Sequence, residues 1–135
     1  LIVNFAYAPE KIRPGETWKI YLSVTDPEGK MFQVVGRINQ PDTRHKLSLI
    51  YLKKGMEKQF IGHFALPTRY FRDVDDFGLE LSILDRPGNV RKALYFPVEF
   101  DEIAESMKPV PSDMEKSLKQ RIGIIDVDWF LGEIP

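Results

Sequence analysis

Thr17-Trp18-Lys19-Ile20-Tyr21-Leu22-Ser23-Val24-Thr25 alternates apolar with polar or smaller side chains along its length. In an extended chain Trp18, Ile20, Leu22 and Val24 share one side while Lys19, Tyr21 and Ser23 take the other, the period of two that buries one face of a β-strand. Asp26-Pro27-Glu28-Gly29 then reads as a turn, with proline fixing φ at its second position. Met31–Ile38 follows as a partner strand carrying Phe32, Val34 and Ile38 on one side. Further out, Ile2–Tyr7, Leu47–Leu52, Lys58–Leu66 (Phe60, Phe64 and Leu66 on one face), Gly78–Leu84 (Leu79, Leu81 and Ile83 inward) and Val90–Phe100 (Leu94, Phe96, Val98 and Phe100) read the same way. Gly and Pro marks separate them, and Asp85-Arg86-Pro87-Gly88-Asn89 closes a hairpin. About seven short strands at this spacing predict an all-β, antiparallel β-sandwich.

Composition agrees with that class. The 135 residues are 43% apolar and 29% charged, with a net charge of -1 and no cysteine. The near-neutral balance lacks the basic footprint of a nucleic-acid binder. Missing cysteines remove thiol catalysis, cysteine-ligated zinc and disulfides. No apolar run reaches the length of a membrane span, so no membrane span is expected in this segment. The charge is uneven: residues 1–100 carry 15 basic and 12 acidic side chains, and residues 101–135 carry 4 and 8. The chain therefore divides into a body, 1–100, and an acidic tail, 101–135.

Four stretches of the body bear on its kinship: Pro14-Gly15-Glu16 before the second strand, Val24-Thr25-Asp26-Pro27-Glu28-Gly29 after it, Phe60-Ile61-Gly62-His63-Phe64-Ala65-Leu66-Pro67, and Asp76-Phe77-Gly78. In their order residues 1–100 resemble bacterial immunoglobulin-like or fibronectin-III-like domains. The resemblance implies an immunoglobulin-like sandwich that acts as a noncatalytic binding or spacer module of a bacterial exported or envelope-associated protein, in the periplasm or cell envelope. Two other readings stand beside it: a self-associating structural protein joined through its C-terminal strand, and a small hydrolytic or metal-dependent enzyme.

In the tail, Asp101–Pro111 reads as a linker. Ser112-Asp113-Met114-Glu115 has the form of a capping box, predicting a short helix from Asp113 to about Arg121 that stops near Gly123. Ile124–Leu131 alternates again, with Ile125, Val127, Trp129 and Leu131 opposite Asp126 and Asp128, and predicts an extra strand. That strand either pairs with an edge of its own sandwich or adds to another copy or another protein.

Candidate sites are few. Arg69, Tyr70, Phe71 and Arg72 lie in the loop after the fifth strand, where the aromatics either plug the open end of the sandwich core or serve recognition, residues of these types being enriched where proteins bind. With Trp129 and Phe130 of the tail they form the expected partner-binding set, the partner being a protein or a second copy. Asp73, Asp75 and Asp76 offer closely spaced carboxylates, but the glycine and glutamate of a full calcium loop are missing. Asp126 and Asp128 share one strand face, either as a carboxylate pair or as the wet side of the strand. His45 and His63 have no metal-ligand spacing and are expected as surface or half-buried structural residues. No phosphate-cradling glycine loop occurs, and neither a metal nor a cofactor is expected.

Overall fold

A computed structural model describes residues 1–41, 45–68, 77–104 and 112–126. Within them lie β1 (Ile2–Tyr7), β2 (Lys11–Ile12), β3 (Thr17–Thr25), β4 (Gln33–Asn39), β5 (Ser48–Tyr51), β6 (Gln59–Pro67), β7 (Phe77–Leu84), β8 (Val90–Phe100), α1 (Glu115–Leu118) and β9 (Arg121–Ile124). They form two sheets in the orders β1-β3-β6-β9 and β2-β8-β7-β4-β5. The fold is an all-β sandwich. It is not wholly antiparallel: β2 pairs parallel with β8 and β9 parallel with β6. The tail pairs with an edge of its own sandwich, one of the two outcomes expected of it, but through Arg121–Ile124 rather than the alternating stretch that follows, while β2, at two residues, is too short to display a period.

The core follows from the alternation. Trp18, Ile20, Leu22 and Val24 of β3 and Leu79, Leu81 and Ile83 of β7 are fully buried between the sheets. Phe60, Phe64 and Leu66 of β6 and Phe96 and Val98 of β8 fill the same space. Trp18 sets its ring edge-on to Phe77 at 5.8 Å, and its buried indole N–H donates to the Pro9 carbonyl at 2.8 Å. Phe32 departs from its expected side. Its amide is tied to Leu84 O, its ring meets Tyr51 at 5.7 Å outside the core, and Met31 takes the buried place.

The turn at Asp26 is held by its side chain. Asp26 is 0% exposed and accepts hydrogen bonds from the amides of Glu28 (3.1 Å) and Lys30 (3.0 Å) and from Arg91 Nη2 (3.1 and 3.2 Å). Arg91 comes from β8, so this one carboxylate ties a turn of one sheet to a strand of the other. Burial alone would raise its pKa. The two amides and the guanidinium outweigh that and hold the carboxyl below the ordinary value.

The tail differs most from expectation. The helix is one turn, Glu115–Leu118, its N-cap is Met114, and no side chain caps it, so the Ser112 box does not form. Leu118 is fully buried, and the amide of His63 on β6 bonds to Gln120 O at 2.9 Å, which pulls the chain out of the helix and into β9. Gly123 lies inside that strand rather than at a helix stop. β9 pairs with β6 of its own chain, and two glycines make room for it. A Cβ on Gly62 would stand 2.7 Å from Ile122 Cγ1, and one on Gly36 would stand 2.8 Å from Ile125 Cδ1. Ile125 is fully buried in the resulting slot, its amide bonded to Ala65 O at 2.8 Å. Beyond it Ser48 Oγ accepts from the Asp126 amide at 2.9 Å, fastening the tail to β5 of the opposite sheet.

Candidate functional site

Strand order and register bring together residues that the sequence leaves far apart. Asn39 of β4, Gly78 of β7 and Pro97 of β8 form one cross-strand row, since Gly78 is the register partner of both others. This row faces away from the core, because the neighbours Ile38, Leu79, Phe96 and Val98 are the buried ones. Glu80 and Tyr95 are partners in the next row. Tyr95 leans diagonally over the bare Gly78 backbone, and its hydroxyl occupies the place where a Cβ on Gly78 would go. Its ring remains 57% exposed.

At the sheet edge, β2 lays Lys11 beside Glu99, and the Glu99 amide donates to Glu10 O at 2.8 Å. The result is an open cleft of about 460 Å³ on the outer face of the five-stranded sheet. Tyr95, Pro97 and Gly78 line it, with Asn39 on one side and Glu10, Lys11 and Glu99 on the other. Among the described residues, no hydrogen bond or ion pair engages the side chains of Glu10, Lys11, Asn39, Tyr95 or Glu99. The contrast with Asp26, Ser48, Thr68 and Asp85 is sharp, for the fold uses each of those polar side chains. Two carboxylates, an amide and an ammonium thus surround one exposed phenol ring, with their donors and acceptors unengaged by the described residues.

The sites expected from the sequence fall elsewhere. Arg69, Tyr70, Phe71, Arg72, Trp129 and Phe130 lie outside the described residues, as do Asp73, Asp75, Asp76 and Asp128. Thr68, which opens that loop, is buried, and its hydroxyl accepts from the Gly15 amide at 3.0 Å. Among the described residues no three His, Asp or Glu side chains are grouped as a metal site requires, and no helix is long and apolar enough to cross a membrane.

The two histidines are apart in kind as well as in sequence. His45 Nε2 lies 2.9 Å from Gln40 Oε1. His63 is 6% exposed, not half-buried as expected, because the stretch through α1 covers the outer face of β6. Its Nδ1–H donates to Leu118 O at 2.8 Å, and its ring tilts against Tyr21 at 5.8 Å. Tyr21 in turn stacks on Tyr7 at 6.5 Å. Burial first, and the neighbouring Tyr7 second, push the Tyr21 phenol above its ordinary pKa. One ring nitrogen of His63 is therefore spent on holding the tail.

No protein-family model, curated protein or solved structure matches the chain. Its function rests on its own geometry. The only trace of the cleft in the sequence is a set of residues in the off phase of their strands: Asn39, Tyr95, Pro97 and Glu99.

Proposed function

We propose that the chain is a noncatalytic binding module whose ligand sits in the outer-face cleft. One observation carries this reading: four polar side chains surround an exposed tyrosine, and among the described residues none of the five is engaged by the fold. An unengaged donor or acceptor gains more from a ligand than one already paired, since it has no internal bond to give up. The noncatalytic half is supported by the placement of His63, whose Nδ1 is bonded to the tail and whose ring lies on the sheet without the cleft. The setting in a bacterial exported or envelope-associated protein rests on the resemblance of residues 1–100 to bacterial immunoglobulin-like domains.

The test is an amide-resolved NMR titration of the ¹⁵N-labelled full chain with separate sets of saccharides, short peptides and nucleosides. A binding module with this site should show shifts gathered at the amides of Lys11, Asn39, Gly78, Tyr95 and Glu99. Shifts gathered on another face, or none with any set, would overturn it.

A further inference from the structure

We infer that the cleft at Tyr95 takes a neutral saccharide, a pyranose unit with equatorial hydroxyls, stacked on the tyrosine ring and hydrogen-bonded by Asn39, Glu10, Glu99 and Lys11. This deepens the binding-module reading and rests on it. Such a sugar has a flat apolar face of axial C–H groups and a rim of hydroxyls in the ring plane. The cleft offers the complement: an exposed ring and the Pro97 ring as a platform, with planar acceptors and donors around it. Each sugar hydroxyl both donates and accepts, so it can donate to a carboxylate of Glu10 or Glu99 and accept from the Asn39 amide or the Lys11 ammonium. Hydrogen bonds to charged groups are the stronger ones, and here they require no charge on the ligand.

Other ligand classes fit less well. A peptide adding itself as a strand needs a free sheet edge with donors and acceptors, whereas β4 and β7 are each paired on both sides, and on β8, which β2 covers at Glu99 and Phe100, the edge position beside the cleft is Pro97, which has no amide to donate. A phosphate or an anionic sugar would meet two carboxylates against one ammonium. The volume of about 460 Å³ falls within the range of about 300–1,000 Å³ seen for small-ligand sites.

The experiment is isothermal titration of the full chain with cellotetraose, xylotetraose and N-acetylchitotetraose, paired with the NMR titration. At least one of these sugars should bind with shifts at the cleft amides. Tyr95→Ala should weaken it roughly tenfold or more, as loss of a stacking ring does. Tyr95→Phe, which keeps the ring, should stay within about threefold, the worth of one neutral hydrogen bond at the low end. Affinity should change less than about twofold between about 50 and 300 mM salt, because a neutral ligand is not screened. Cleft shifts with peptides or nucleosides but with no sugar would overturn the saccharide assignment and leave the binding module standing. Sugar binding that survives Tyr95→Ala would overturn the site, and silence with every set would overturn both.

Discussion

At Gly62 the missing side chain admits Ile122 and the Gln120 carbonyl of the tail, while at Gly78 it lets the Tyr95 ring lie across the sheet and stay exposed. Around Gly62 the groups that fasten the tail are paired: the His63 amide and Nδ1 on the tail, the Ile125 amide on Ala65, Ser48 on Asp126. Around Gly78 the side chains of Asn39, Glu99, Glu10 and Lys11 find none among the described residues. A buried seam with unpaired groups would cost about 1–3 kcal/mol for each of them, so pairing there is compulsory. On the exposed face water fills the vacancy at little cost, and the sequence is free to keep donors and acceptors for a ligand. The first region holds the fold together, and the second is the face proposed to take a ligand. Mutations should separate the two.

The largest expected effect is at the seam. Ile125→Ala empties a fully buried slot against Gly36 and should lower the free energy of unfolding by about 2–5 kcal/mol in urea titration. Gly62→Val should cost about 1–3 kcal/mol or more by driving its side chain into the Gln120 carbonyl and Ile122. Both changes act on one tail, so their combined effect should fall short of the sum. Neither should alter ligand shifts in the cleft of the folded fraction. A loss below about 1 kcal/mol for Ile125→Ala would mean that the tail does not hold the sandwich together.

Why the body was legible and the seam was not follows from the kind of signal each leaves. Trp18, Ile20, Leu22 and Val24 announce their buried face through a local period, and so do Leu79, Leu81 and Ile83. Gly62 and Gly36 announce nothing, because a glycine that admits a distant chain looks like any glycine in a strand. The sequence reads the helix too long for a related reason: the capping sequence at Ser112 is local, but the hydrogen bond from the His63 amide to Gln120 O that draws the chain into β9 comes from β6. The cleft needs both registers, β4 with β7 and β7 with β8, before Asn39, Gly78 and Pro97 meet. Only the placement of Asn39, Tyr95, Pro97 and Glu99 out of phase with the buried residues is visible in the sequence, and that is also the look of an ordinary solvated face.

Asp26 tests the pairing rule inside the fold. Asp26→Ala strands two amides and leaves the Arg91 guanidinium only the exposed Glu28 carboxylate, and should cost about 2–3 kcal/mol. The same site sets an acid limit. A carboxyl held below its ordinary value stabilises fully above the unfolded value of about 3.9 and loses that contribution as pH falls through the lower folded value. Thermal unfolding followed downward in pH should show a decline in Tm beginning near pH 4. In Asp26→Asn the decline should be shallower. An unchanged slope would show that Asp26 is not the group whose protonation weakens the fold.

The smallest effect on stability should accompany the largest effect on binding. Gly78→Ala puts a methyl group where the Tyr95 hydroxyl lies, so the ring must swing off the sheet and the platform is lost. Gly78 is itself buried beneath that ring, but the ring is more than half exposed and can move into solvent, and the strand gains slightly from replacing glycine. Urea unfolding of Gly78→Ala should therefore match the unmodified chain to within about 1 kcal/mol, while the ligand-induced shifts at Asn39 and Glu99 disappear. The reverse result, a destabilised chain that keeps its ligand shifts, would place Gly78 with Gly62 as a packing glycine. It would also erase the distinction between a face built to hold the molecule together and a face built to hold something else.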